Sequence, residues 1–338
     1  MRLLILVGVL CAAIGVAGCG DDSAEAGSAS TPASAAFPVT IPHAFGETTI
    51  ESEPKRVVTW GWGSTDAAIA LGVVPVAIPF ESYGGNAQGV LPWIAEALEE
   101  KGVPTPTVLP DSEEPPYEEI AAAKPDVILA PLSGVTDKQY ELLSAIAPTV
   151  AYPGEAWTTP WRENIEIVGT ALGRQAQAKE LLADIDAKFA AQAKAHPELD
   201  GKTVAMVWDD GDGTFYVYKK ADSRVEATEA LGLVTAPSVE ALATGGETFY
   251  YTLSYEKLDQ LTSDILVSFA DTQKLSDAFM TSAHGKTMEQ VRNGAVAQVV
   301  GKEFVSSVSP PTALSLTWGL DEYVGLLAAA AAKADAAK

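Results

Sequence analysis

The sequence predicts an α/β fold of two lobes bridged by one long α-helix. From Phe37 onward, short apolar runs alternate with helical patterns, which is typical of a parallel or mixed sheet flanked by helices. A long amphipathic pattern over 175–195 separates two such stretches. The chain has 338 residues, more than one core usually organises. We therefore expect a first lobe over 37–173, a bridging segment over 174–197 and a second lobe over 198–338.

The first lobe is predicted to open with a buried strand over 57–60, directly after Pro-Lys-Arg at 54–56. A helix over 66–71 follows, which Ser64 or Thr65 can cap and Gly72 can end in the left-handed conformation. The remaining elements are predicted in this order: a strand over 73–78, a helix over 117–123, strands over 125–130 and 148–152, and a helix over 161–172 that Gly173 closes.

The bridging helix is predicted over 175–195, because its apolar residues recur at steps of three and four with charged residues between them. At about 1.5 Å per residue it is about 32 Å long, enough to cross between two lobes. His196 and Pro197 stop it. The second lobe then begins with a strand over 203–208 and ends with a helix over 320–332.

Two motifs occur once in each predicted lobe. In one, a short helix carries a glutamate eight residues before an aspartate that opens a strand: Glu118 with Asp126, and Glu256 with Asp264. In the other, the sequence Ala-Leu-Gly ends at residues 72 and 232. The recurrence favours two related lobes over a chance similarity of amphipathic helices.

The composition is that of a globular chain. Apolar residues make up 47% and charged residues 20%, so the chain is not disordered throughout. The formal net charge is −23, whereas surfaces for nucleic acid or anionic lipid need clustered Lys and Arg. We therefore expect no nucleic-acid partner.

The N-terminal segment predicts export and membrane attachment. An apolar run over 3–16 is too short to span a membrane and suits a secretory signal peptide over 1–18. The run ends in Val-Ala-Gly-Cys, which resembles the bacterial lipobox, so Cys19 is the predicted lipid attachment site. Small polar residues over 19–36 read as a flexible tether. The alternative is an ordinary signal peptide with Cys19 incidental. Because Cys11 lies in the removed peptide, no intramolecular disulfide is possible.

A lipobox, a polar tether and two α/β lobes joined by a single helix resemble the siderophore, cobalamin and haem binding proteins of bacterial ABC importers. Local motifs agree in order and spacing over roughly residues 41 to 332. They are Pro-Lys-Arg-Val-Val at 54–58, Ala-Leu-Gly-Val at 70–73, the run at 120–129, Val-Gly-Thr-Ala-Leu-Gly at 168–173 and Ser-Pro at 309–310. The resemblance implies two Rossmann-like lobes with a ligand cleft.

The ferric-siderophore branch of this family is the most similar, with cobalamin and haem as alternative ligands. The resemblance then implies a monomer without enzyme activity or cofactor, whose iron arrives as an organic chelate. It implies a location on the extracytoplasmic face of the cell membrane and delivery of the chelate to an ABC permease.

In the resembled family, one surface glutamate on each lobe pairs with arginines of the permease. The motifs place these glutamates at Glu118 and Glu256, each in the first turn of a predicted helix. A carboxylate there is favoured by the helix dipole and can accept a bidentate guanidinium. Glu119 is the alternative to Glu118, and a purely local role at the helix start is the alternative for both.

Ligands of two-lobed α/β proteins bind in the cleft formed by loops at the carboxyl ends of the strands. Here those loops are rich in aromatic residues, which suit a large, rigid chelate because each buries much area with two torsions. The alternatives are core packing for the aromatic residues and internal salt bridges for the arginines. The candidate ligand-binding residues are Trp60, Trp62, Tyr83, Trp157, Arg162, Trp208, Phe215, Tyr218, Arg224 and Trp318.

The charge of these loops favours a neutral or cationic ferric hydroxamate. A trianionic catecholate complex would need several Arg or Lys, whereas the loops offer few. They also carry acids, namely Glu81, Glu155, Asp209, Asp210 and Asp212.

Other kinds of site are disfavoured. Gly61-Trp62-Gly63 resembles a dinucleotide fingerprint, but Asp66 replaces its third glycine and would repel a phosphate. The acidic run over 209–213 lacks the ligand spacing of a calcium loop. The three histidines are widely separated, so we expect no direct metal site. An exported hydrolase, the alternative from a different class, lacks a Gly-x-Ser-x-Gly elbow.

Overall fold

The computed structural model describes residues 37–245 and 249–338. The predicted signal peptide, the lipid attachment at Cys19 and the tether over 19–36 lie outside the described residues. Within the described residues, no helix is both long and apolar enough to cross a membrane.

The first lobe contains a hairpin and a five-stranded parallel sheet. The hairpin pairs β1 (Val39–His43) with β2 (Gly46–Ile50). The sheet has the spatial order β5-β4-β3-β6-β7. Its strands are β3 (Val57–Thr59), β4 (Ala77–Ile78), β5 (Thr107–Val108), β6 (Val127–Leu129) and β7 (Thr149–Val150). The helices are α1 (Ser64–Ala70), α2 (Pro92–Glu100), α3 (Tyr117–Ala122), α4 (Asp137–Ser144) and α5 (Trp161–Ala171).

The strand order of this sheet has a switch point between β3 and β6. The chain starts in the central strand β3, moves outward through β4 and β5, and returns to β6 on the other side. Ligands of such sheets bind in the crevice outside the carboxyl ends of the strands at the switch point. Every residue of both strands is buried, which is why neither sequence alternates between buried apolar and exposed polar residues.

Helix α1 begins earlier than predicted. Its N-cap is Gly63, with a φ of 71°, and no side chain caps the helix. The prediction of a Ser64 or Thr65 cap is therefore wrong: Ser64 is the first helical residue, and the Thr65 hydroxyl hydrogen-bonds the Thr59 hydroxyl at 2.8 Å. The helix does end before a left-handed Gly72, as predicted, with a φ of 84°.

Other elements of the first lobe also differ from the predictions, either in their bounds or because they were not predicted. The strand predicted over 73–78 is confined to Ala77–Ile78, and the prediction omitted α2, α4 and the hairpin. The bridging helix is α6 (Gln175–Ala195), with the predicted bounds. It buries Ala178, Ile185 and Phe189, which is the apolar stripe that the periodicity indicated.

The second lobe contains a six-stranded mixed sheet. Strands β10, β8, β12 and β13 are parallel, whereas β9 pairs antiparallel with β8 and β11 pairs antiparallel with β9. The strands are β8 (Thr203–Asp209), β9 (Phe215–Tyr218), β10 (Val234–Thr235), β11 (Tyr250–Thr252), β12 (Ile265–Ala270) and β13 (Val296–Val300). The helices are α7 (Ser223–Glu229), α8 (Pro237–Leu242), α9 (Gln273–Thr281), α10 (Glu289–Asn293), α11 (Lys302–Val308), α12 (Ser315–Trp318) and α13 (Leu320–Ala336). Short 3₁₀ helices cover Pro197–Leu199, Tyr255–Gln260 and Gly285–Thr287.

The repeated aspartate has the same structural task in both lobes. The Asp126 carboxylate accepts hydrogen bonds from the backbone N–H groups of Lys55 (2.7 Å) and Arg56 (2.9 Å), just before β3. The Asp264 carboxylate accepts one from the N–H of Thr203 (2.9 Å), the first residue of β8. Each aspartate precedes one strand and fixes the start of its parallel neighbour. The repeated motif therefore has the same local hydrogen-bonding role in both lobes, and the predicted relation between the lobes stays a prediction.

Candidate ligand-binding cleft

A cleft of about 1060 Å³ is lined by residues from both lobes. Its walls include the loops that follow β3, β4, β6 and β7, together with Trp208 near the carboxyl end of β8, which is the edge expected from the switch point. The aromatic lining residues are Trp62, Tyr83, Trp93, Trp157, Trp208, Tyr216, Tyr218, Phe249 and Tyr250. The charged ones are Asp66, Glu81, Glu155, Asp222, Arg224 and Glu226.

Two tryptophans form the exposed aromatic surface of the first lobe. Trp62 and Trp157 are 42% and 43% exposed, and their ring centroids lie 4.6 Å apart. The backbone N–H of Trp62 donates to the Leu132 carbonyl (2.8 Å) and that of Trp157 to the Ser133 carbonyl (3.0 Å). Trp157 has a φ of 63°, a left-handed backbone that is rare for a large residue, and its indole covers Gly134, where a Cβ would collide with the ring. Backbone contacts thus hold two large rings open to the cleft.

The second lobe contributes aromatic rings from its antiparallel strands. Tyr216 and Tyr218 lie on β9 and Tyr250 lies on the paired strand β11. Trp208 is half-buried, stacks on Phe269 with 6.2 Å between ring centroids, and also lines the cleft. These rings extend the aromatic lining across the cleft from the two tryptophans.

Arg224 lines the cleft but already has a partner for its charge. Its guanidinium bonds both carboxylate oxygens of Asp222, at 2.7 and 2.8 Å. It donates to the Ser309 hydroxyl (2.9 Å) and lies 3.8 Å from the centroid of the Tyr218 ring. The side chains of Arg224 and Asp222 are only 14% and 2% exposed. The cation is therefore neutralised and fixed in place. This internal salt bridge is the alternative to a ligand contact that the sequence analysis gave for the arginines.

Arg162 also forms internal salt bridges, and it is not among the residues that line the cleft. Its guanidinium lies 2.6 Å from Asp186 of α6 and 3.2 Å from Glu226 of α7. It therefore connects α5, the bridging helix and the second lobe, and this structural role replaces the predicted ligand contact.

Two acidic residues of the first lobe face the cleft. Asp66 is 2% exposed, and its carboxylate accepts hydrogen bonds from the indole N–H of Trp93 (2.6 Å) and from the Thr312 hydroxyl. Burial raises the pKa of Asp66 to about 6, against the effect of these two hydrogen bonds. Glu81 is half-buried, and burial together with the charge of Asp66 raises the pKa of its carboxyl to about 7.

Tyr83 joins the two lobes at the cleft. Its hydroxyl donates to Asp271 of the second lobe at 2.6 Å, and Lys302 lies 3.7 Å from the same carboxylate. The Tyr83 ring also lies 6.4 Å from the ring of Trp208. The predicted ligand residue Tyr83 is thus both a cleft-lining side chain and a polar contact between the lobes.

Besides Arg162, three predicted aromatic ligand residues lie away from the cleft lining. Phe215 is fully buried, because it alternates with Tyr216 along β9 and points to the opposite face, into the core of the second lobe. Trp60 packs at the edge of a first-lobe core. Trp318 is 37% exposed, and its indole N–H donates to Glu96 (3.0 Å) instead of facing the cleft. These placements correct the three predictions.

The remaining predicted aromatic residues, Trp62, Tyr83, Trp157, Trp208 and Tyr218, line the cleft together with Arg224. Their contact with a ligand stays a prediction. The prediction omitted Trp93 and Asp222. Trp93 lies on α2, a helix that was not predicted, and Asp222 is the N-cap of α7, whose Asp-Ser pair is a readable capping signal.

The predicted docking glutamates are both exposed and both in the first turn of a short helix. Glu118 lies in α3, and Glu256 lies in the 3₁₀ helix over Tyr255–Gln260. Because each helix leads into a strand of its sheet, its first turn lies toward the carboxyl ends of the strands, on the side of the cleft. Tyr255 confirms this for the second lobe, since its hydroxyl bonds Asp209 at the end of β8 (2.7 Å).

Two α/β lobes, one bridging helix and a large aromatic cleft define a two-lobed solute-binding protein. Within the part of the chain that the structure describes, no group of three or more His, Cys, Asp or Glu side chains could hold a metal ion. The chain belongs to the periplasmic binding protein family, whose model matches residues 57–299. This family binds solutes rather than catalysing reactions, so an exported hydrolase is set aside.

Known proteins agree with this assignment. The probable siderophore-binding lipoprotein YfiY of Bacillus subtilis is 26% identical over 279 residues, which cover 77% of this chain and 79% of YfiY. The structure of PiaA of Streptococcus pneumoniae in complex with ferrichrome is similar with a TM-score of 0.79 and 33% identity, over 87% of this chain and 99% of PiaA. A periplasmic solute binding protein from Mycobacterium smegmatis matches with a TM-score of 0.74 and 28% identity, over 87% and 98% of the two chains.

Proposed function

We propose that this protein is the extracytoplasmic substrate-binding component of an ABC importer, and that it captures a ferric siderophore in the cleft and delivers it to the permease. The aromatic lining is the observation that carries this proposal. Two exposed tryptophans of one lobe and a strand-borne aromatic wall of the other suit a large, rigid organic chelate. PiaA, an iron uptake ABC transporter substrate-binding protein of this fold, was solved with ferrichrome.

The charge of the lining supports a neutral or cationic hydroxamate as the ligand. Five carboxylates and one guanidinium line the cleft, and that guanidinium is already paired with Asp222. A trianionic catecholate complex would meet an excess of negative charge there. A neutral or cationic chelate would not.

Attachment and docking complete the proposed function. Cys19 would hold the protein to the outer face of the cell membrane, which the lipobox and the lipoprotein YfiY support. Glu118 and Glu256 would contact arginines of the permease, which their exposure in the first turns of two helices supports. The two carboxylates lie on related positions of the two lobes, as a two-lobed docking surface requires.

A thermal-shift panel tests the ligand class. The purified protein is heated with ferrichrome, ferrioxamine B, ferric enterobactin, cobalamin or haem, each in excess. A ligand at a hundredfold excess over its Kd stabilises the folded state by about 2.7 kcal/mol. We expect the two hydroxamates to raise the Tm and the other compounds to leave it unchanged. A shift by ferric enterobactin, cobalamin or haem in the absence of a hydroxamate shift would contradict the proposal.

A further inference from the structure

We infer that Glu81 binds a cationic group of the chelate, such as a free ammonium, and gives the cleft a preference for cationic over neutral chelates. This inference rests on the proposed function, because it names the class of ferric chelate for the same cleft. It concerns a residue whose charge has no partner among the residues that the structure describes.

Among the charged residues that line the cleft, Glu81 stands apart because the others are paired, hydrogen-bonded or exposed. Asp222 pairs with Arg224, Glu226 pairs with Arg162, and Asp66 accepts hydrogen bonds from Trp93 and Thr312. Glu155 is exposed. Among the described residues, the half-buried Glu81 carboxylate forms neither an ion pair nor a side-chain hydrogen bond. A carboxylate that is removed from water without a partner is costly, which a cation from the ligand would offset.

Two cationic side chains near the cleft, Arg224 and Lys302, already have anionic partners. Arg224 is held by Asp222 and Ser309, and Lys302 lies against Asp271 and the face of Tyr83. Glu81 instead lies close enough to Asp66 for the negative charge of Asp66 to oppose its ionisation. A ligand ammonium at this position would be attracted by both carboxylates, whereas a neutral chelate would gain nothing from them.

The test compares two chelates that differ in one charge. Ferrioxamine B is a ferric trihydroxamate with a free ammonium, and its N-acetylated form is the same chelate without that charge. Affinities for both are measured by isothermal titration at pH 8 with the wild type, Glu81→Gln and Glu81→Ala. Glu163→Gln is the control, because Glu163 is also half-buried in the first lobe but does not line the cleft.

We expect the wild type and Glu163→Gln to bind ferrioxamine B about tenfold more tightly than its acetylated form. In both Glu81 variants this ratio should fall to near one. A ratio near one in the wild type, or a tenfold ratio that persists in folded Glu81 variants, would overturn the inference and leave the proposed function intact. Failure of the wild type to bind either chelate would overturn the hydroxamate proposal itself.

Discussion

The two lobes form the cleft by different means. The first lobe has a wholly parallel five-stranded sheet and presents Trp62 and Trp157 from the loops that follow β3 and β7. The second lobe adds the antiparallel strands β9 and β11 and presents tyrosines directly from them. The two lobes thus differ at their carboxyl edges, where one presents aromatic residues from loops and the other from paired strands.

The two lobes also differ in the charged residues that they contribute to the cleft. The second lobe contributes a cation and an anion that neutralise each other, Arg224 and Asp222, while the first contributes Asp66 and Glu81 without a cation. We conclude that the Asp222–Arg224 pair of the second lobe maintains the structure of the cleft, whereas the Glu81 carboxylate of the first lobe is available to the ligand. The following predictions test this division, from the largest expected effect to the smallest.

Asp222→Ala should destabilise the protein strongly. It leaves the Arg224 guanidinium, 14% exposed, without its carboxylate partner, which typically costs about 3 kcal/mol of unfolding free energy or more. Asp186→Ala is the control, because it breaks an ion pair of Arg162 whose side chains are 35% and 54% exposed and should cost less than about 1 kcal/mol. Urea unfolding measures both. Similar losses of unfolding free energy in the two variants would contradict the structural role of the Asp222–Arg224 pair.

The double variant Trp62→Ala and Trp157→Ala should weaken chelate binding about a hundredfold, because exposed aromatic rings in a cleft supply most of the buried contact area. Trp318→Ala is the matched control, since Trp318 is similarly exposed but outside the cleft lining. Its affinity should change less than about threefold. Titration with ferrichrome provides the measurement. An equal effect of all three tryptophans would mean that the loop tryptophans have no special place in the site.

Docking should need both lobes equally. Glu118→Arg with Glu256→Arg should reduce uptake of the iron chelate by about tenfold, since two charge-assisted contacts become repulsive, while titration shows unchanged chelate affinity. Glu180→Arg with Glu322→Arg, on the exposed faces of α6 and α13, introduces the same charge change as a control. Normal uptake by the Glu118→Arg, Glu256→Arg variant would rule out this docking surface. The variant Glu119→Arg with Glu256→Arg tests the neighbouring carboxylate.

Glu81→Gln should have the smallest effect on stability, and its sign should depend on pH. The pKa of Glu81 is raised from 4.5 to about 7, so the folded state binds more protons than the unfolded state between these values. The stability that this proton provides is lost as the pH rises through 7. The variant should therefore have the higher Tm at pH 8, by about 2 °C, and the difference should shrink toward pH 5. A difference that grows toward pH 5 would contradict this assignment.

The sequence predicted the features that depend on local patterns. The bounds of Gln175–Ala195 follow from the three- and four-residue spacing and the stop at Pro197. The exposure of Trp62 follows from its position between two loop glycines. The repeated Asp126 and Asp264 are visible as a spacing, and the structure adds that each binds the backbone at the start of a neighbouring strand.

The features that the sequence missed depend on pairing between distant segments. Phe215 and Tyr218 lie three residues apart on one strand, so they point to opposite faces, and only the register with β8 decides which face meets the cleft. Asp66 reads as a helix-start acid, but its partners Trp93 and Thr312 come from α2 and from a loop beyond α11. The local sequence around Asp66 therefore does not predict those contacts.

The central claim is that an aromatic cleft with unpaired negative charge selects neutral or cationic ferric hydroxamates. Tryptophan fluorescence titration of the wild-type protein with ferrichrome and with ferric enterobactin tests it most directly. We predict saturable quenching by ferrichrome at micromolar concentration or below, and no saturable quenching by ferric enterobactin over the same range. Tighter binding of ferric enterobactin than of ferrichrome would contradict the claim.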